Sequence, residues 1–90
     1  MGMIVIHHKV QDFKTWKVGY DKHAPARKAA GLNHDHVLQA VDDPNMVTIV
    51  MDFADLAKAK AFGASDDLKA AMKHAGVVGA PTIHLLKKIT

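Results

Sequence analysis

The stretch LNHDHVLQAVDDPNMVTIVMDF (residues 32–53) decides the fold. Residues 32–41 have mixed polarity and read as a strand. Asp42, Asp43, Pro44 and Asn45 make a strong turn signal, and residues 46–53 are an apolar run of strand-forming type. Two strands flanking such a turn form a β-hairpin. Working outward toward the N-terminus, residues 13–30 carry a helical period, with Asp12 as N-cap and Gly31 as C-terminal stop. Pro25 falls inside this stretch, where it either kinks the helix near His23 or begins a second short helical piece. Before it, residues 3–8 are rich in Ile and Val and read as a strand.

On the C-terminal side, Asp55 can cap a short helix through Phe62, and Ser65 with Asp66 and Asp67 opens another that reaches Ala75 and stops at Gly76. Residues 76–81 read as a loop and 82–89 as a last strand. The order is βα-β-β-αα-β. It predicts an α+β protein of the split, ferredoxin-like βαββαβ type, with a four-stranded antiparallel sheet and its helices on one face. The 90 residues leave room for one such domain, spanning 1–90.

Residues 3–6, 46–51 and 83–86 place apolar side chains on both faces of their strands, whereas a sheet with one solvated face should alternate. The second face needs a cover, and the economical one is another copy packed about a two-fold axis, giving a homodimer through the sheet face.

Composition excludes several classes of function. With no cysteine, a disulfide scaffold, a thiolate zinc site and a cysteine nucleophile are all ruled out. No run approaches a membrane span and no signal segment opens the chain, so a soluble, cytoplasmic protein is expected, with no membrane partner. The net charge is +3, but eleven of the twelve basic residues are Lys, spread along the chain, and no nucleic-acid-binding motif gathers them; no nucleic-acid partner is expected. No Gly-rich loop precedes a helix to cradle a phosphate.

All nine acidic residues are Asp, and most have local roles at helix starts or in the turn. Asp35 and Asp52 do not, yet neither pairs with another carboxylate, so a two-carboxylate mechanism has no support. Phe13, Trp16, Tyr20, His23 and Arg27 recur at steps of three or four and share a helix face. Tyr20, His23 and Arg27 either line a ligand cavity between helix and sheet or belong to a filled core, where Arg27 would need partners. Five of the seven histidines mark the strands: His7 and His8 on opposite faces of the first, His34 and His36 on one face of the second, His84 on the last. His34-x-His36 is half of a metal site without a spaced third ligand, so no metal is expected. His74 suits the C-terminal end of its helix.

The pattern Asp12-Phe13-x-x-Trp16-Lys17, Tyr20-Asp21-x-His23, Arg27-Lys28-Ala29-Ala30-Gly31, Asp43-Pro44-Asn45, Asp55-Leu56-Ala57, Ser65-Asp66-Asp67-Leu68 and Ala75-Gly76-Val77 resembles the small dimeric α+β barrel proteins. These are grouped with antibiotic biosynthesis monooxygenases and often labelled cyclases. The resemblance covers nearly the whole chain. It implies that two chains join their sheets and that each keeps a pocket for a small organic ligand between sheet and helices. For activity it implies a cofactor-independent monooxygenase, cyclase or isomerase acting on an aromatic or polyketide-like compound. The haem-degrading branch uses an Asn on the first strand and a Trp and a His on later helices. Here the first strand offers His7 and His8 and the only Trp is Trp16, so no cofactor is expected.

Cofactor-free oxygenation needs a base, donors for the enolate and a mostly dry pocket. His23 is assigned as the base, Tyr20 and Arg27 as oxyanion donors and Trp16 as a stacking wall, with His8, His36 and His84 as further substrate-binding groups. The rival is a non-catalytic ligand-binding or stress-responsive protein of the same fold. A third reading makes the histidines a pH-sensitive dimer contact.

Overall fold

The computed structural model describes residues 2–74, 76–87 and 89. The side chains of Asp67 and His74, and with them the expectation for His74, fall outside that description. Eight elements follow in order: β1 (Gly2–Val10), α1 (Phe13–Lys22), α2 (Ala24–Ala29), β2 (Leu32–Ala40), β3 (Asp43–Phe53), α3 (Leu56–Gly63), α4 (Asp66–His74) and β4 (Val77–Lys87). The strands form one antiparallel sheet in the order β2-β3-β1-β4, the ferredoxin-like arrangement expected from the element order.

Local chemistry sets the helix limits. The Asp12 carboxylate accepts from the Thr15 amide at 3.1 Å and from its hydroxyl at 2.8 Å, and these bonds hold the carboxyl below its usual range. The Phe13 amide donates to Asn45 Oδ1 at 2.9 Å, which ties the start of α1 to the start of β3. Pro25 opens a second helix: α1 ends at Lys22, His23 joins the two, and the proline occupies the first turn of α2, where its missing N–H costs nothing. Gly31 ends α2 at φ +98°, a conformation that a side chain would strain.

The last strand begins earlier than expected. Val77 and Val78 pair with Val10 and Lys9 of β1, so that residues 77–81 belong to β4 rather than to a loop, and a register shift between His7 and Lys9 absorbs the irregularity around Gly79 and Pro81. Strand β4 lies at the sheet edge, the place where a proline is tolerated.

The helices cover one face of the sheet. There Ile4, Ile6 and Val10 of β1 and Val47, Ile49, Met51 and Phe53 of β3 are buried against Trp16, Ala59, Phe62 and Leu68. The opposite face is open, and the pairing lays its residues in rows across all four strands. One row is His36, Val50, Val5, His84; on either side run His34, Asp52, Met3, Leu86 and Leu38, Thr48, His7, Thr82. Leu38 and Leu86 are 51% and 44% exposed on this face. Among the described residues no helix is long and apolar enough to cross a membrane.

Candidate active site

Between α1, α2, α4 and the covered face of the sheet lies a narrow cleft of about 30 Å³, lined by Ile6, His8, Trp16, Tyr20, His23, Arg27, Ile49, Met51, Leu68 and Met72, among others. That volume admits about two water molecules. A group larger than that would have to displace side chains, and Met72, partly buried on α4, carries the most flexible of those lining the cleft. The apolar lining comes from the alternation of β1 and β3, and the aromatic wall from the helical period of α1.

One end of the cleft is held by a charged cluster. The Tyr20 hydroxyl donates to the Asp35 carboxylate. Arg27, 4% exposed, lies with its guanidinium carbon 3.6 Å from the Tyr20 ring centroid, and its Nη1 donates to the Tyr20 carbonyl at 2.7 Å. Its Nε is 3.9 Å from Asp35 Oδ2 and is buried without a hydrogen-bond partner. Burial, then the hydrogen bond to Asp35, push the Tyr20 phenol well above its usual pKa, against the opposing pull of Arg27. The tyrosine proton is therefore committed to Asp35, and Arg27 Nε is a buried donor with no hydrogen-bond partner among the described residues.

The other end is His8. It is 3% exposed, and both ring nitrogens are buried without a hydrogen-bond partner. Burial, and secondarily the neighbouring His7, lower its pKa to about 4, so the ring is neutral at physiological pH. A neutral imidazole offers one acceptor and one donor nitrogen. Trp16, buried and in the middle, has its ring centroid 5.6 Å from that of His8 and 5.0 Å from that of Tyr20, on which it stacks.

Of the residues expected to form the site, Trp16, Tyr20, His23, Arg27 and His8 meet around this cleft. His23 sits at the joint of α1 and α2, half-buried, with its ring 6.5 Å from that of Phe62. His36 and His84 do not meet the others: their register places them on the open face, across the sheet from the cleft. Asp35 was missed. The alternation of β2 could have found it, because Asp35 faces the helices one residue away from the outward His34 and His36. Among the described residues no group of three or more His, Cys, Asp or Glu side chains could hold a metal.

Solved structures match the chain over its whole length. SnoaB, a cofactor-independent oxygenase from Streptomyces nogalater, superposes with a TM-score of 0.79 at 12% identity, covering 99% of this chain and 93% of that one. The fold is that of the antibiotic biosynthesis monooxygenases. Two proteins provisionally named as such agree: one from Bordetella bronchiseptica at TM-score 0.77 and 19% identity, covering 99% of this chain and 98% of that one, and one from Caulobacter crescentus at 0.77 and 21%, covering 99% and 90%. No known family profile matches the sequence, and no curated protein matches it either. At these identities the antibiotic biosynthesis monooxygenase likeness is one of backbone, and the chemistry rests on the cleft itself.

Proposed function

We propose that the chain is a cofactor-independent oxygenase that binds a small phenol or enol in the cleft and removes its proton with His8. The observation that carries this reading is a buried, neutral imidazole with both nitrogens unpartnered, facing an apolar cleft whose far end holds the free Nε of Arg27. Deprotonation turns such a ligand into an electron-rich carbanion that can reduce dioxygen. In the net reaction a methylene and O₂ become a carbonyl and water. His8 accepts the proton, Arg27 faces the developing oxyanion, and Trp16 stacks on the ring. A pKa near 4 makes His8 a weak base in the empty cleft, and the anion formed beside it strengthens it as the proton moves. This moves the base from His23 to His8 and, of the two expected donors, keeps Arg27 and withdraws Tyr20, whose proton Asp35 holds. The likeness to SnoaB supports the reading, and the absence of cysteine suits a cytoplasmic site of action.

Trp16 is the only tryptophan, so its fluorescence reports on the cleft. The test is quenching by 1-naphthol and by 1,3-cyclohexanedione, with oxygen uptake in parallel, for the wild type and for His8→Ala and His23→Ala. Turnover lost in His8→Ala and kept in His23→Ala is the expected result. Saturable quenching without oxygen uptake would favour the non-catalytic binding protein, and turnover that survives His8→Ala would sink the assignment.

The same reading includes a second copy on the open face. The chain exposes 5687 Å², against about 5,200 Å² expected for a monomeric protein of its 9.8 kDa. The excess of about 500 Å² fits a chain with surface left to cover, and a standard interface covers roughly 800 Å² of each partner. The apolar centre of the face, Met3, Val5 and Val50, supplies the contact.

A further inference from the structure

The cleft uses one strand histidine, and the open face carries four that it does not use. His36 and His84 stand at the two ends of the row through Val50 and Val5, and among the described residues no hydrogen bond reaches either. His7 Nδ1 lies 2.7 Å from Thr48 Oγ1, and His34 Nδ1 lies 3.9 Å from Asp52 Oδ2. The other charges on this face are sparse. Asp52 is the one carboxylate in the three rows, and Lys9 lies next along β1, with its Nζ 3.9 Å from Asp43 Oδ2 at the start of β3. The helices pack on the opposite face, so among the described residues these six side chains meet no other element of their own chain from above.

Resting on the pairing reading above, we infer that the histidine rows form a proton-controlled contact: two copies hold together through the open face while its imidazoles are neutral, and separate when they are protonated. Pairing about a two-fold axis sets this face of each copy against the same face of the other. A neutral imidazole beside Val5 and Val50 is an amphipathic side chain that can be covered at little cost. A protonated one is a charge that must be desolvated. Each copy gains up to four such charges and has Asp52 alone among them to offset the gain. The second copy adds an identical set, so like charges meet across the contact.

The experiment is sedimentation of the full chain between pH 8 and pH 5, with far-UV circular dichroism on the same samples, for the wild type and for a variant combining His36→Gln and His84→Gln. The wild type is expected to be a dimer at pH 8 and to associate about 100-fold more weakly at pH 5 with its circular dichroism unchanged, while the variant weakens less than about 10-fold. A wild type that pairs equally at both values overturns the proton control and leaves the pairing standing. A monomer at pH 8 overturns the pairing itself. A variant that comes apart as the wild type does, through unfolding in acid or otherwise, also overturns the inference.

Discussion

The two faces of the sheet are built from the same strands by the same alternation, and they end in opposite chemistry. On the covered face, Ile4, Ile6, Val47, Ile49, Met51 and Phe53 are buried to within 3% of fully, and the one histidine among them is neutral because it lost its water. On the open face, apolar Met3, Val5 and Val50 are only half-buried and sit among four histidines. Adjacent His7 and His8 show the contrast within two residues. What cover a strand receives, more than which residue it carries, decides whether a histidine can serve as a dry proton acceptor or as a surface charge.

The comparison can be broken from its strongest side first. Phe53→Ala empties a fully buried site on the covered face and is expected to cost about 4 kcal/mol of folding stability, read by urea denaturation. If the loss stays near 1 kcal/mol, that face is less tightly packed than described. Val50→Lys, on the other face of the same strand, is expected to weaken pairing at least 100-fold, about 2.7 kcal/mol, with an unchanged circular dichroism spectrum; an unchanged sedimentation profile would argue against a contact there.

His8 gives a smaller effect whose sign depends on pH. Its folded-state pKa of about 4 lies below the ordinary 6.5, so between those values the unfolded chain binds more protons than the folded one. Stability therefore rises with pH across this window and is lost as pH falls through it, by an amount on the order of 2 kcal/mol from pH 7 to pH 4.5. Measured in the Val50→Lys background to keep association out of the reading, His8→Leu should flatten that slope. A slope that is unchanged would show that other groups carry it. Smallest is Ser65→Ala: the Ser65 hydroxyl accepts from the Leu68 amide at 3.1 Å at the start of α4, and its loss should cost about 1 kcal/mol with no change in pairing.

Much of the fold was legible because local signals and the global arrangement agree. The caps at Asp12 and Asp55 and the stop at Gly31 stand where the residues place them, whereas the hairpin turn is tighter than 42–45: it takes Val41 and Asp42, and Asp43, Pro44 and Asn45 already belong to β3. The start of β4 was not legible, because Gly79 and Pro81 read as breakers and only the edge position and the register shift against β1 make a strand there possible. At the site, the helical period of Trp16, Tyr20, His23 and Arg27 was enough to bring them to one wall. Period-two alternation separates His7 from His8 but does not say which face the helices cover, so the buried imidazole could not be singled out. The bond from Tyr20 to Asp35 joins residues that meet only when α1 and α2 settle on β2, and no spacing along the chain encodes it.

The sheet order sets a timetable. Strand β1 is made first, yet it lies inside the sheet and gains its second neighbour only when residues 77–87 have been synthesised. Until then a nascent chain leaving the ribosome carries Ile4 and Ile6 on a strand with an unpaired edge, the kind of exposed template that invites association with other unfinished chains. With β1 waiting for β4, the sheet is completed late, and the speed of translation through residues 77–87 should influence how much protein reaches the folded state.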